Sequence, residues 1–113
     1  MKFFIYYILL TVLLLHYSCA ENQEVHISQT IMFEGKLYKM DSKDPFSGIV
    51  YNIYPNGQRE YSGEYKKGNP NGPLIYWYEN GNKKREGLLK NGKPVGRWVT
   101  YKNDGSVQET IDH

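Results

Sequence analysis

The stretch Gly72–Val95, GPLIYWYENGNKKREGLLKNGKPV, decides the fold because the residues on both sides of it repeat its pattern. Gly48 and Gly96 lie 24 residues before and after Gly72, and Gly57 and Gly105 lie the same step from Gly81. Gly63 keeps that spacing to Gly87, and Gly68 keeps it to Gly92. Apolar positions follow the same step: Tyr51 with Ile75 and Val99, and Ile53 with Trp77 and Tyr101. A single glycine pair at this spacing is uninformative. Four glycine families on one ungapped period mark a structural repeat.

Each unit reads as two strands around a turn. The first strands are Ile49–Tyr54, Leu74–Tyr78 and Trp98–Lys102, and the turns are YPNG, YENG and KNDG. Pro55 has its φ set for the second position of a type I turn. The glycine that follows Asn or Asp accepts positive φ, so the expected turn is type I with a glycine bulge. That turn pairs Tyr54 with Gln58, Ile53 with Arg59 and Tyr51 with Tyr61. It gathers Tyr51, Ile53, Tyr61, Tyr65, Ile75, Trp77, Leu89, Val99, Tyr101, Val107 and Ile111 on one face. Asn52, Glu60, Ser62 and Glu64 fall on the other, together with Val50, Leu74, Tyr76, Leu88 and Trp98. A slip of one residue would exchange the faces, so the assignment is a sharp one. The longer segments KKGNPNG and KNGKPVG join one unit to the next. The fold class is therefore all-β: an antiparallel meander of 24-residue hairpin repeats forming a single twisted sheet of six or seven strands. Gly48, Gly57, Gly72, Gly81, Gly96 and Gly105 serve as its structural turns.

Composition agrees with one small domain. In 113 residues there are eleven tyrosines and eleven glycines, a strand-and-turn bias. The net charge of +2 provides no global field to attract nucleic acid. Three segments follow: a signal peptide over residues 1–20, a polar tether over 21–35, and the repeat domain over 36–113. Gly35–Met40 and Asp44–Gly48 form a degenerate first half-unit.

The leader has a short positive start at Lys2, the apolar run FFIYYILLTVLLL from Phe3 to Leu15, and small residues at Ser18, Cys19 and Ala20, the three-part pattern of an export signal. Cys19 is the only cysteine, so an intrachain disulfide is excluded. LLLHYSC resembles a bacterial lipobox, with His16 at the third position before the cysteine, where leucine is usual. The resemblance implies lipidation of Cys19 and a place in the bacterial cell envelope. Cleavage after Ala20, giving a secreted or periplasmic chain, and an uncleaved anchor remain the two alternatives.

The segments GEYKKGNPNG, YWYENGNKKREG and KNGKPVGRWVTYKNDG resemble MORN repeats, in particular their bacterial variant, and PFSGIVYNIYPNG is similar to the opening of YwqK-type proteins. The resemblance spans about Leu37–Val107. It implies a scaffolding or protein-interaction module, with membrane-lipid headgroup binding or an antitoxin role in a toxin–antitoxin pair as alternatives. It carries over no catalytic residue. The family's unit-opening glycine matches Gly48, Gly72 and Gly96, and the aromatic after it matches Trp98 alone, because Val50 and Leu74 hold the other two places.

GLLKNGKP, Gly87–Pro94, reads G-x-x-x-x-G-K, most of a phosphate-binding loop. Pro94 stands where the loop needs a hydroxyl for Mg²⁺, no helical pattern follows, and the repeat accounts for both glycines. His16, His26 and His113 have no partners at metal-ligand spacing. The expectation is a non-enzymatic chain with no cofactor, no metal, no nucleic acid and no small-molecule substrate. Its partner would be another protein, with the membrane reached through an N-terminal lipid. The candidate binding residues are Tyr51, Ile53, Ile75, Trp77, Val99 and Tyr101, with Lys83, Lys84 and Arg85 for orientation. The last three belong to a run, Gly81–Lys102, that holds seven basic residues and one acid, Glu86.

Overall fold

The computed structural model describes residues 23–113; the leader and Cys19 lie outside the described residues. Nine strands occur among the described residues: β1 Glu24–His26, β2 Thr30–Phe33, β3 Lys36–Lys39, β4 Gly48–Ile53, β5 Arg59–Lys66, β6 Asn69–Trp77, β7 Lys83–Lys90, β8 Lys93–Tyr101 and β9 Val107–Asp112. Seven of them form one sheet in the order β1-β4-β5-β6-β7-β8-β9, and β2 pairs with β3 in a separate hairpin. From β4 to β9 every pairing is antiparallel between consecutive strands, so the repeat folds as the expected meander.

The chain reverses at two kinds of turn, one at each end of the sheet. At the wide-turn end Gly57, Gly81 and Gly105 have φ of 87°, 90° and 91°, so the three units share one turn geometry. Gly57 N–H donates to the Tyr54 carbonyl at 2.9 Å and Tyr54 N–H to Gln58 at 2.8 Å, which is the type I turn with a glycine bulge. At the tight-turn end the structure differs from the sequence expectation. KKGNPNG and KNGKPVG are not open connections. Lys67-Gly68 (φ 49° and 82°) and Asn91-Gly92 (φ 49° and 79°) are two-residue type I′ turns. Pro70 and Pro94 accordingly lie inside β6 and β8.

A second correction concerns the faces. Ile53 does face Arg59, but Asn52 faces Tyr61 and Tyr51 faces Ser62, because Glu60 is an extra residue on β5. The same shift recurs one period later at Lys84 and again at Gln108. Each is a bulge, with two residues opposite one, and each reverses the alternation beyond it. Tyr61, Tyr65, Leu89 and Ile111 therefore join the Val50 face, while Ser62, Glu64 and Leu88 move to the Tyr51 face.

The Val50 face is the packed one. Large residues on β4, β6 and β8 alternate with glycines on β5 and β7: Val50 opposes Gly63, Gly63 opposes Leu74, and Leu74 opposes Gly87. The Trp98 indole lies flat over Gly87, where any Cβ would overlap it. A one-layer sheet thereby gains a covered face from its own side chains.

The third correction is the tether. Val25 is buried on β1, which pairs in parallel with β4 and joins Leu37, Phe46 and Val50 in the core, with Tyr61 and Tyr65 against it. Residues 24–26 and 30–33 are strands of the fold. Ile49 N–H donates to the Gln23 carbonyl at 2.8 Å, so the parallel edge begins before β1 itself.

Successive units are joined by side chains as well as by the ladder. The Tyr54 hydroxyl donates to the Trp77 carbonyl at 2.7 Å, and Tyr78 donates to Tyr101 at 2.8 Å. Asn56 Nδ2 donates to the Glu79 carbonyl and Asn80 Nδ2 to Asn103, both at 3.0 Å. At the tight-turn end Gly68 N–H donates to Phe46 and Gly92 N–H to Pro70, both at 2.8 Å. Each bond recurs 24 residues later.

Candidate functional site

The register places Tyr51, Ser62, Ile75, Glu86, Val99 and Thr110 in one row across six strands. Ile53, Trp77 and Tyr101 follow on the same strands at the two-residue period of one face, nearer the wide turns, opposite Arg59, Lys83 and Val107. All six apolar and aromatic candidates thus occupy one sheet face. An open groove of about 320 Å³ crosses it, lined by Pro73, Ile75, Glu86, Leu88, Arg97 and Val99.

The basic candidates separate. Lys83 lies on the Tyr51 face and bonds Glu86 at 2.7 Å. Lys84 sits at the bulge with its ammonium 5.6 Å from the Tyr78 ring. Arg85 points to the opposite face, its guanidinium 5.0 Å from the Trp98 ring. Arg97 pairs with Asp112 at 3.0 Å. Lys90 and Lys93 face each other at the tight turn, seven residues along β7 from Lys83. A run of charge in sequence is therefore not a patch in space, because an eight-residue strand carries its two ends about 23 Å apart.

Glu86 is the functional-site residue that the sequence reading passed over. It is the one acid in the basic run, and that isolation was the available signal. Its carboxylate accepts from Lys83 and, through Oε1, from the Tyr101 hydroxyl at 2.6 Å. The Lys83 hydrogen bond first, and the Tyr101 bond after it, hold its pKa below the ordinary 4.5 against the opposing effect of burial. A carboxylate with a lowered folded pKa stabilises the fold above the unfolded value, and the contribution is lost as pH falls through the folded one. Urea midpoints measured from pH 7 downward should fall less steeply below about pH 4.5 for Glu86→Gln than for the wild type. Parallel acid limbs would show the triad to be uncoupled from folding.

At the other edge of this face Tyr51 is engaged from two sides. The Arg59 guanidinium lies 4.5 Å over its ring, and His26 meets it edge-on at 5.6 Å. Arg59 also pairs with Glu24 at 2.6 Å. These contacts anchor the row at β1, while half-buried Ile75 and Val99 form its middle with exposed Leu88 beside them. Gly87 and Pro94, the ends of the apparent phosphate loop, lie within β7 and β8, and Asn91-Gly92 between them is a two-residue turn. The frame is strand–turn–strand, not the strand–loop–helix that a phosphate cradle requires.

The chain matches no protein-family model, no curated protein and no solved structure. The functional reading therefore rests on the arrangement of its own residues.

Proposed function

We propose that this chain is an exported bacterial envelope protein, anchored by a lipid on Cys19, that acts as a non-enzymatic protein-interaction or scaffolding module of the MORN-variant type. One observation carries the reading: the Ile75–Glu86–Val99 row, with Leu88 beside it, forms an apolar strip with a fixed polar centre, and among the described residues it lines an open groove on the sheet face. The opposite face buries Val50 and Trp98, the latter against Gly87, which favours the Tyr51 face as the one that receives a partner. A protein surface suits it better than a small molecule, since the groove is open and broad. Glu86, held by Lys83 and Tyr101, supplies a rigid acceptor that fixes register, while Ile75, Leu88 and Val99 supply apolar contact area.

The test is co-purification from envelope extract with the tagged full-length chain and with an Ile75→Glu, Val99→Glu double variant. A protein retained by the wild type and lost from the double variant, with the strand signal in circular dichroism unchanged, supports the face as the partner site. Retention by both chains would end that assignment.

A further inference from the structure

One row of side chains departs from the repeat. The ladder aligns Asn52, Tyr61, Tyr76, Arg85, Thr100 and Glu109 across six strands. The row lies on the Val50 face, two residues nearer the wide turns than Val50, Leu74 and Trp98. At the 24-residue step Asn52 gives way to Tyr76 and Thr100, and Tyr61 to Arg85 and Glu109. The bulge residue Glu60 gives way to Lys84 and Gln108. All three units share the bulge and the wide turn, so the common backbone does not account for these residue types.

The first-unit end of this row is an open groove of about 350 Å³, lined by Ile27, Asn52, Glu60, Tyr61 and Tyr76. Its floor is aromatic. Any Cβ on Gly63 would overlap Tyr61, so the phenol lies along the strand over this glycine. Tyr76 packs beside it, the ring centroids 5.3 Å apart and the planes at 45°. One side of the groove is polar. The bulge brings Glu60 onto this face, and Asn52 Nδ2 donates to its Oε2 at 3.1 Å. Beyond that bond the pair offers the Asn52 carbonyl oxygen, its second amide N–H and Glu60 Oε1. Ile27, exposed in the short 3-10 turn after β1, is an apolar wall.

Charge narrows the ligand. The lining residues include one acid and no base. The neighbouring arginines are engaged elsewhere: Arg59 lies over Tyr51 on the other face and pairs with Glu24, and Arg85 rests on the Trp98 ring. The groove therefore does not suit an anion. An aromatic floor beside an amide–carboxylate pair suits a sugar. A pyranose presents a patch of C–H groups to an aromatic ring, and its adjacent hydroxyls, each donor and acceptor, meet planar polar side chains. Asn52 and Tyr76 stand two strands apart, about 10 Å, the length of a disaccharide.

We propose that this groove binds a neutral glycan, one pyranose stacked on Tyr61 and Tyr76 with its hydroxyls held by Asn52 and Glu60. The Tyr51 face takes no part, so the site stands apart from the partner surface. Plain and N-acetylated glycans share this chemistry. Ile27 favours the N-acetylated kind, because it gives the acetyl methyl an apolar contact.

The full-length chain, kept in a detergent without a sugar headgroup, is titrated by calorimetry with chitotetraose, the N-acetylated probe, and with cellotetraose, the plain one. Groove-dependent binding of either supports the site, and the tighter of the two identifies the source. The repeat itself supplies substitutions that its backbone accommodates: Tyr76→Thr, after Thr100, and Glu60→Gln, after Gln108. Each should weaken binding about tenfold, the first by loss of the stacking ring and the second by loss of a charge-assisted hydrogen bond. Met40→Ser changes an exposed apolar residue outside the row and should leave the affinity within about twofold. Circular dichroism verifies that each variant is folded. Binding of neither tetrasaccharide, or binding that survives both Tyr76→Thr and Glu60→Gln unchanged, overturns the proposal.

Discussion

Trp98→Ala is expected to lower the unfolding free energy by about 3–5 kcal/mol, measured by urea titration. Trp98 is 4% exposed and is the buried hydrophobic of the C-terminal half of the sheet. Its indole covers Gly87, takes the Arg85 guanidinium at 5.0 Å and meets the His113 ring edge-on at 6.1 Å. The residue beneath it, Gly87, has no side chain to fill the space it would leave. The same contact read from the other side gives the companion result. Gly87 has no positive φ, so Gly87→Ala is a steric test alone. Overpacking of this kind costs about 1–3 kcal/mol. In the Trp98→Ala background the added methyl enters a vacated site and should cost far less, so the double-mutant cycle should show strong coupling. Additive effects would mean that the indole does not rest on Gly87 in solution.

Phe46→Ala is expected to be equally costly, about 3–5 kcal/mol by the same mechanism, but with a different distribution over the molecule. Phe46 lies in the cluster formed with Val25, Leu37 and Val50, the contact that holds β1 and the β2–β3 hairpin against β4. Repeat arrays lose structure unit by unit when a neighbour interface fails. Hydrogen exchange should therefore show early loss of protection at Leu37, which donates to Gly68, and at Ile49, which donates to Gln23. Amides of β7 and β8 should keep most of theirs. Uniform loss across all strands would show one cooperative unit in place of a core joined to an array.

The sequence made the repeat legible because glycine marks it. At Gly57, Gly81 and Gly105 the backbone requires positive φ, and few other residues accept that conformation. Nothing comparable marks the bulges. Glu60, Lys84 and Gln108 are ordinary polar residues in ordinary strands, and only the ladder reveals that each is supernumerary. For that reason alone, alternation in the sequence puts Tyr61, Tyr65, Leu89 and Ile111 on the wrong face. Val25 was missed on different grounds. A single apolar residue among ENQEVHISQT has no period to declare itself, and its burial depends on Leu37, Phe46 and Val50, which lie far along the chain. The candidate site on the Tyr51 face is legible in its six apolar members, which share the repeat, but not in Glu86, whose bonds to Lys83 and Tyr101 depend on the register.

The bonds between units have a direction, and that direction fixes how such a chain can change in length. At the wide turns Tyr54, Asn56, Tyr78 and Asn80 donate forward. The corresponding residues of the last unit are Lys102 and Asp104, and Asp104 turns its carboxylate back on Ser106. A 24-residue unit duplicated between Gly72 and Val95 would meet a donor behind it and an acceptor ahead. The same unit appended after His113 would meet neither side chain. Whole steps of one period added inside the array would therefore keep each of these donors matched to its acceptor.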